Sequence, residues 1–158
     1  AALYPPRRCR ALGRSAAGAA GLIPAADMAA IHAAASDDRP WSAAEFAALL
    51  ASPGCFASGD VRAFALVRVI LDEAELLTIA TRPQHRRQGL ARALMADWQA
   101  EAARRGATRA FLEVAADNAP ARALYEACGY SQTGRRRGYY RRGTGAAVDA
   151  LLMARTLP

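Results

Sequence analysis

The segment that most restricts the fold of this chain is a strand, a loop and a helix in succession at residues 76–105. An apolar run predicts a strand that ends at Thr81, and a polar, basic loop follows at residues 83–88. The stretch 89–105 then repeats apolar residues at helical spacing, and Gly106 ends it. Such a unit fits a sheet covered by helices.

The loop that begins this helix is suited to bind phosphate groups. Backbone N–H groups in the first turn of a helix have no intrahelical partner and lie at the positive end of the helix dipole. Gly89 lets a phosphate come close to the backbone, and Ala91 is small enough to allow the same. The pattern is also compatible with a basic turn before an amphipathic helix. It is not an ATPase P-loop, because no Gly-Lys-Ser/Thr follows.

Helical and strand-like segments alternate along the chain. Ser42 and Glu45 form a capping-box pattern at one helix start, and Asn118 is suited to cap another. We predict helices at residues 25–34, 42–50, 89–105 and 118–128. We predict a Gly59-Asp60 hairpin turn, a long basic loop after residue 134, and strands at 56–58, 61–71, 75–81, 108–114, 130–134 and 148–155. This order predicts an α/β or α+β fold around one mixed sheet.

The positive charge of the chain comes from arginine alone. All 21 basic residues are arginines, and the formal net charge is +7. The arginines concentrate at residues 7–14 and at residues 135–142. Both stretches are compatible with solvated surface segments, and both are compatible with a phosphate-rich ligand or a ribosomal partner.

Length and composition favour one domain. The chain has 158 residues, of which 53% are hydrophobic. Residues 1–21 are rich in arginine and lack acidic residues, and we expect a disordered basic arm there, not a transit peptide, followed by a single domain at 22–158. No apolar run reaches about 18 residues, so we expect no membrane span. The three cysteines and two histidines lack metal-ligand spacing, which predicts no metal, reduced thiols and a cytoplasmic protein.

Two further residues have chemistry that the pattern leaves open. Glu113 lies within an apolar strand. A carboxylate in an apolar environment has a raised pKa and can act as a general base near neutral pH. A charged strand edge that faces water is the alternative. Tyr125 follows Leu124 on a predicted helix, where it is either a core aromatic or a phenol directed at a leaving thiolate.

The order and spacing of these motifs resemble the GNAT superfamily, whose loop signature is R/Q-x-x-G-x-G/A. Within that superfamily the chain is similar to the ribosomal-protein alanine N-acetyltransferases of the RimI type. The similarity covers residues 22–157 and rests most specifically on Leu112-Glu113-Val114, on residues 118–130 and on Tyr139-Tyr140. Ala91 departs from the glycine of many relatives, and Tyr130 departs from their phenylalanine.

The resemblance implies a GNAT fold, which is a central, mixed and mostly antiparallel twisted sheet flanked by helices. It implies acetyl-CoA as cosubstrate, without a metal. Glu113 takes the position of the general base, and Tyr125 that of the proton donor. Backbone contacts to the acetyl and pantetheine groups are implied for Ile79, Ala80 and Thr81. Other cofactor contacts are implied for Asn118, Arg86, Arg87, Gln88, Gly89, Leu90, Ala91 and Arg92.

The acceptor amine is expected to enter between two segments. Residues 36–41, which include Trp41, form one wall, and residues 135–142, which include Tyr139 and Tyr140, form the other. Negative charge suited to a basic residue behind the acceptor's N terminus comes from Asp72, Glu73 and Glu75.

The resemblance implies transfer of an acetyl group to the N-terminal α-amine of a protein, in particular a ribosomal protein that begins with alanine, by direct attack in a ternary complex. An α-amine with a pKa near 8 is about one-tenth neutral at pH 7, whereas a lysine amine with a pKa of about 10.4 is far less so. Lysine or a small-molecule amine is an alternative acceptor. An alternative of another class is an RNA-binding or ribosome-binding module, because Tyr139 and Tyr140 lie among arginines.

Overall fold

The computed structural model describes residues 23–36, 39–141, 143 and 145–158. The predicted arm at 1–21 lies outside these residues. The domain contains four α-helices among the described residues: α1 (Ala25–Ala35), α2 (Ala43–Ala51), α3 (Leu90–Arg104) and α4 (Ala119–Ala127). A short 3₁₀ turn at Pro83–His85 precedes α3.

The predicted helix caps are confirmed. The Ser42 hydroxyl accepts a hydrogen bond from the Glu45 backbone N–H, and the Glu45 carboxylate accepts one from the Ser42 N–H. At α4, the Asn118 side-chain oxygen accepts from the N–H of Ala121. Each cap stabilises the first turn of its helix by satisfying backbone donors that have no intrahelical partner.

In the described part of the chain, six strands form one sheet: β1 (Cys55–Asp60), β2 (Ala63–Ile70), β3 (Glu73–Thr81), β4 (Arg109–Ala115), β5 (Ser131–Tyr140) and β6 (Val148–Thr156). Their spatial order is β1-β2-β3-β4-β6-β5. Only β3 and β4 are parallel neighbours within the described sheet, and the other pairs are antiparallel. The predicted mixed, mostly antiparallel sheet is therefore confirmed.

The predicted hairpin turn at Gly59-Asp60 is wrong. Both residues belong to β1, and the turn lies at Val61 and Arg62. Asp60 supports it by accepting a hydrogen bond from the Arg62 N–H at 2.8 Å. Gly59 has a φ of 121°, and a Cβ there would lie 2.2 Å from the Ala63 carbonyl oxygen. The glycine is thus required by a close approach of neighbouring backbone, not by a turn.

The predicted long basic loop after residue 134 is also wrong in part. β5 extends from Ser131 to Tyr140, so the arginines at 135–137 belong to a strand. β5 lies at the edge of the sheet, and nearly all of its residues are exposed or half-buried. An edge strand with both faces in contact with solvent has no apolar alternation, which is why its sequence is typical of a loop.

The two faces of the sheet pack against different helices. On one face, Met28 of α1 and Phe46 of α2 form a cluster with Phe64 and Leu66 of β2. On the other face, α3 contributes fully buried residues, including Trp98, to a larger cluster that also contains Leu112, Val114 and Tyr125. In the described part of the chain, no helix is both long and apolar enough to cross a bilayer.

The sheet opens between its two parallel strands. β3 and β4 pair only at their beginnings, through Glu73 with Arg109, Ala74 with Ala110 and Glu75 with Phe111. A register shift at Leu66/Val67 in β2 accompanies this divergence on the neighbouring strand pair. Successive residues of a strand direct their backbone groups to alternate sides. Beyond Glu75, therefore, β3 has backbone groups that face the opening and not β4.

Candidate active site

A cleft of about 490 Å³ lies where β3 and β4 separate. β3 lines it with Leu76, Leu77, Thr78 and Ile79, and β4 lines it with Leu112, Glu113, Val114 and Ala115. The region of α1 and α2 contributes His32, Ser36, Arg39 and Trp41. The remaining lining residues are Asn118, Tyr125, Tyr139, Tyr140 and Arg141.

The cleft brings Glu113 and Tyr125 together from opposite faces of the sheet. Leu112 and Val114 share the α3 and α4 cluster with Tyr125. Side chains alternate along a strand, so Glu113, between Leu112 and Val114, is directed to the other face. The carboxylate of Glu113 and the phenol of Tyr125 thus lie on two sides of one opening. This arrangement is suited to proton transfer at two ends of a bound molecule.

The expectation that Glu113 is surrounded by apolar groups is wrong. Its side chain is 27% exposed, and one carboxylate oxygen lies 3.1 Å from a guanidinium nitrogen of Arg136 on β5. The alternative of a carboxylate that simply faces bulk water does not fit either, because Glu113 lines the cleft. The group is a half-buried carboxylate with a cationic partner at the cleft.

Tyr125 is buried, with 6% of its surface exposed, although it lines the cleft. Burial raises the pKa of the Tyr125 phenol well above its ordinary value. The ring packs 6.1 Å from that of Tyr130. Tyr125 is thus a core aromatic that also lines the cleft, and its role as a phenol directed at a leaving thiolate stays a prediction.

The basic loop before α3 has the geometry expected of an anion site. Gly89 is in the left-handed region at φ 78°. Among the residues that the structure describes, no side chain caps the first N–H groups of α3, and no atom lies within 4 Å of a Cβ placed on Gly89. Arg87 also has a positive φ, of 63°, and the side chain of Arg86 donates to the Ala35 carbonyl at 3.1 Å. The last contact ties the loop to the end of α1.

Of the three β3 residues that were predicted to contact the acetyl and pantetheine groups, only one lines the cleft. Ile79 lines it, but Ala80 is 8% exposed and belongs to the cluster with α1 and α2. Thr81 is the last residue of β3 and pairs with Ala63. Leu76, Leu77 and Thr78, which the sequence did not single out, line the cleft instead.

The predicted aromatic residues of the acceptor groove, Trp41, Tyr139 and Tyr140, all line the cleft. Trp41 stacks on His32, with ring centroids 5.3 Å apart. The rings of Tyr139 and Tyr140 contact each other edge to face at 5.2 Å.

The predicted acidic residue Glu75 lies elsewhere. It forms an ion pair with Arg68 and lines a second cavity of about 200 Å³, together with Asp72 and Glu73. Glu75 precedes the opening of the sheet, because it still pairs with Phe111 of β4. The acidic residues at 72–75 therefore do not reach the main cleft, and the acceptor groove that we describe excludes them.

β5 has an irregularity that directs its aromatic residues toward the cleft. The register with β6 shifts between Arg136 and Tyr140, and Gly138 within this bulge has a φ of 59°. Asp149 of β6 holds the bulge, since its carboxylate accepts from the Gly138 N–H at 2.8 Å and lies 3.4 Å from Arg135. No local sequence pattern points to Asp149, because its role depends on strand pairing.

The comparison with known proteins agrees with this geometry. The model of the acetyltransferase (GNAT) family matches residues 24–130. The [ribosomal protein bS18]-alanine N-acetyltransferase of Escherichia coli (strain K12) is 45% identical over 97 residues, which are 61% of this chain and 65% of that protein. The chain thus spans just under two thirds of the length of this curated relative.

Solved structures show the same fold. The ribosomal-protein-S18-alanine N-acetyltransferase from Escherichia coli superposes with a TM-score of 0.76 at 37% identity, over 84% of this chain and 87% of that one. Arabidopsis thaliana NAA60 in complex with acetyl-CoA superposes with a TM-score of 0.73 at 17% identity, over 86% of this chain and 96% of that one. From the family match and the first of these structures, the chain belongs to the acetyltransferase (GNAT) family.

Proposed function

We propose that this protein transfers the acetyl group of acetyl-CoA to the N-terminal α-amine of a protein, and that the acceptor is a ribosomal protein that begins with alanine. The observation that carries the proposal is the position of Glu113 and Tyr125 on opposite sides of the opening between β3 and β4. The activity named for the Escherichia coli relatives supports the choice of acceptor.

The residues around α3 fit the cosubstrate. Uncapped N–H groups at the start of a 15-residue helix, next to an open glycine, can bind a pyrophosphate through the backbone. The neighbouring side chains of Arg86, Arg87 and Arg92 are exposed and add positive charge. Metal chemistry is not part of the proposal, and among the described residues no group of three potential ligands from His, Cys, Asp and Glu occurs.

The chain's own groups would act at three points. Glu113 accepts a proton from the attacking amine, directly or through one water molecule. Backbone N–H groups of β3 that face the opening stabilise the oxyanion that develops on the thioester carbonyl. Tyr125 donates a hydrogen bond to the departing sulfur. Direct attack is preferred to an acyl-cysteine route, because Cys128 is 4% exposed and does not line the cleft.

A peptide that begins with alanine should be acetylated on its α-amine, because that amine is neutral more often than a lysine amine at the same pH. The measurement is mass spectrometry of the peptide after incubation with the protein and acetyl-CoA, with fragmentation to locate the added group. The matched control is the same peptide with a blocked N terminus and one internal lysine, which should stay unmodified.

Three other outcomes would redirect the assignment. Faster acetylation of the internal lysine would make the protein a lysine acetyltransferase. Acetylation of a polyamine or aminoglycoside, with no peptide product, would favour a small-molecule acceptor. Salt-dependent RNA retention without thiol release would favour a binding module. The structure gives this last outcome less support, because Arg135 and Arg136 are already paired with Asp149 and Glu113.

Gly89→Asp should abolish the rise in melting temperature that acetyl-CoA causes. A ligand that binds only the folded state stabilises it, and an aspartate at this position puts negative charge where the pyrophosphate would bind. The measurement is thermal unfolding of both proteins with and without acetyl-CoA.

Gly106→Asp is the matched control for this substitution. Gly106 lies just beyond the other end of α3, has a φ of 97°, and also has nothing within 4 Å of a built Cβ. The Gly106→Asp substitution introduces a similar backbone strain and the same charge. It should therefore lower the melting temperature of the free protein but keep the rise in melting temperature that acetyl-CoA causes. An undiminished shift in Gly89→Asp would remove the loop from the cosubstrate site.

A further inference from the structure

The ion pair between Arg136 and Glu113 connects two strands that are not neighbours. Arg136 lies on β5 opposite Ala150 of β6, and Glu113 lies on β4 opposite Leu152 of β6. The Arg136 side chain therefore spans the width of β6, because the axes of β5 and β4 lie about 10 Å apart. The small side chain of Ala150 at the crossing position leaves room for it. Arg136, which does not line the cleft, thus pairs with Glu113, which does.

The ion pair to Glu113 is only a weak restraint on Arg136. Its side chain is 52% exposed, and ion pairs of this kind contribute little net stability. The guanidinium carbon also lies 5.4 Å from the centre of the Tyr139 ring, within the range of a cation–π contact. The bulge that contains Tyr139 follows Arg136 directly. Because the two contacts coexist, the guanidinium keeps the Tyr139 ring as a partner when the ion pair to Glu113 breaks.

We propose that Arg136 is a replaceable counter-ion of Glu113, which the ammonium group of the acceptor displaces when it enters the cleft. This inference rests on the proposed function. At neutral pH an α-amine is mainly protonated, so it arrives as a cation that competes with the guanidinium for the same carboxylate. Arg136 is then a positioning residue, because it forms the ion pair with Glu113 until the acceptor amine binds.

The arrangement has a chemical consequence when no acceptor is bound. A free carboxylate next to the thioester could activate water, whose oxygen would form a bond to the carbonyl carbon while the carbon–sulfur bond breaks. One proton of the water would pass to Glu113, and the sulfur would leave as a thiol after taking a proton from Tyr125 or solvent. The product is acetic acid, which releases the second proton of the water to solvent and becomes acetate. The Arg136 guanidinium contacts the Glu113 carboxylate at 3.1 Å and competes with water for it, so Arg136 suppresses this hydrolysis.

The first test is acceptor binding in the presence of CoA, measured by calorimetry with a peptide that begins with alanine. Arg136→Gln should tighten binding by up to about fivefold, which corresponds to about 1 kcal/mol and is the upper range for an exposed pair. The acetylated form of the same peptide has no ammonium group, and its affinity should not change. Arg137→Gln removes an equal charge one residue along β5, outside the cleft lining, and should leave both affinities unchanged.

The second test compares acetyl-CoA hydrolysis without peptide with acetyl transfer to peptide. Arg136→Gln should raise the ratio of hydrolysis to transfer by about fivefold, again the range of an exposed pair. Arg136→Lys keeps the charge and should give a ratio close to that of the wild type. A purely structural role would lower hydrolysis and transfer together, would weaken peptide binding, and would not be restored by lysine.

The outcomes separate this inference from the proposed function. If the wild type transfers acetyl groups to the peptide, but neither the affinity for the ammonium form nor the hydrolysis ratio rises in Arg136→Gln, the counter-ion role is overturned and the proposed function stands. If the wild type transfers nothing to any peptide, both are overturned. If Arg136→Gln does not fold, Arg136→Met with its melting temperature measured takes its place, and the same two readouts decide.

Discussion

Glu113→Gln should lower kcat by roughly 10²- to 10⁴-fold, the usual contribution of a positioned acid or base. The substitution keeps the shape and polarity of a side chain that lines the cleft, but it removes the group that accepts the proton of the amine. The residual rate should rise with pH, because the amine must then lose its proton to solvent before it attacks. The measurement is steady-state kinetics of peptide acetylation across a pH series.

Glu126→Gln is the matched control. Glu126 is exposed on α4 next to Tyr125 and does not line the cleft, so the same loss of charge should leave kcat unchanged. Circular dichroism and thermal unfolding check that both variants fold. Wild-type turnover in a folded Glu113→Gln protein would show that the carboxylate does not move the proton.

Local signals predicted the helices and most strands because those signals act over a few residues. The Ser42 and Glu45 capping box and the Asn118 cap each connect groups three residues apart, and the structure confirms both. Gly59 shows the limit of such reasoning. Its sequence context is typical of a turn, whereas a side chain there is excluded by the Ala63 backbone and by Leu94 of α3, which packs on one face of the sheet.

The candidate site also contains residues that local motifs predict and residues that depend on strand pairing. Ile79, Asn118, Glu113 and Tyr125 were predicted from motifs with fixed spacing, and all four line one cleft. The partner of Glu113 was not predictable, since Arg136 reaches it across an intervening strand whose pairing register no local pattern reveals.

The acidic residues at 72–75 were predicted for the acceptor groove but lie outside the cleft. Their charge suggested an acceptor groove, but they lie where β3 and β4 are still paired, before the opening begins. A charge pattern in a sequence predicts the sign of a surface, and only the divergence of two strands decides which surface becomes the cleft.

Tyr125→Phe should lower kcat by about 10- to 100-fold, with little change in stability or in affinity for acetyl-CoA. A hydrogen bond to a charged group contributes about 1.5–3 kcal/mol, and this one would matter mainly as negative charge develops on the departing sulfur. The phenylalanine ring preserves the packing of a residue that is 6% exposed. The loss should shrink with an acetyl-CoA analogue whose thiol is more acidic, because such a sulfur leaves more easily without a donor.

The matched control is Tyr130→Phe, the same change in the neighbouring buried ring. The Tyr130 hydroxyl is buried, has no hydrogen-bond partner among the described residues, and lies outside the cleft lining. Its removal should therefore leave kcat unchanged. The pH profile gives a second check: burial raises the pKa of Tyr125, so the wild type should show no loss of rate with a midpoint near the ordinary tyrosine value of about 10. A descending limb at that pH, absent from Tyr125→Phe, would mean that the phenol ionises there and is not held as a neutral donor.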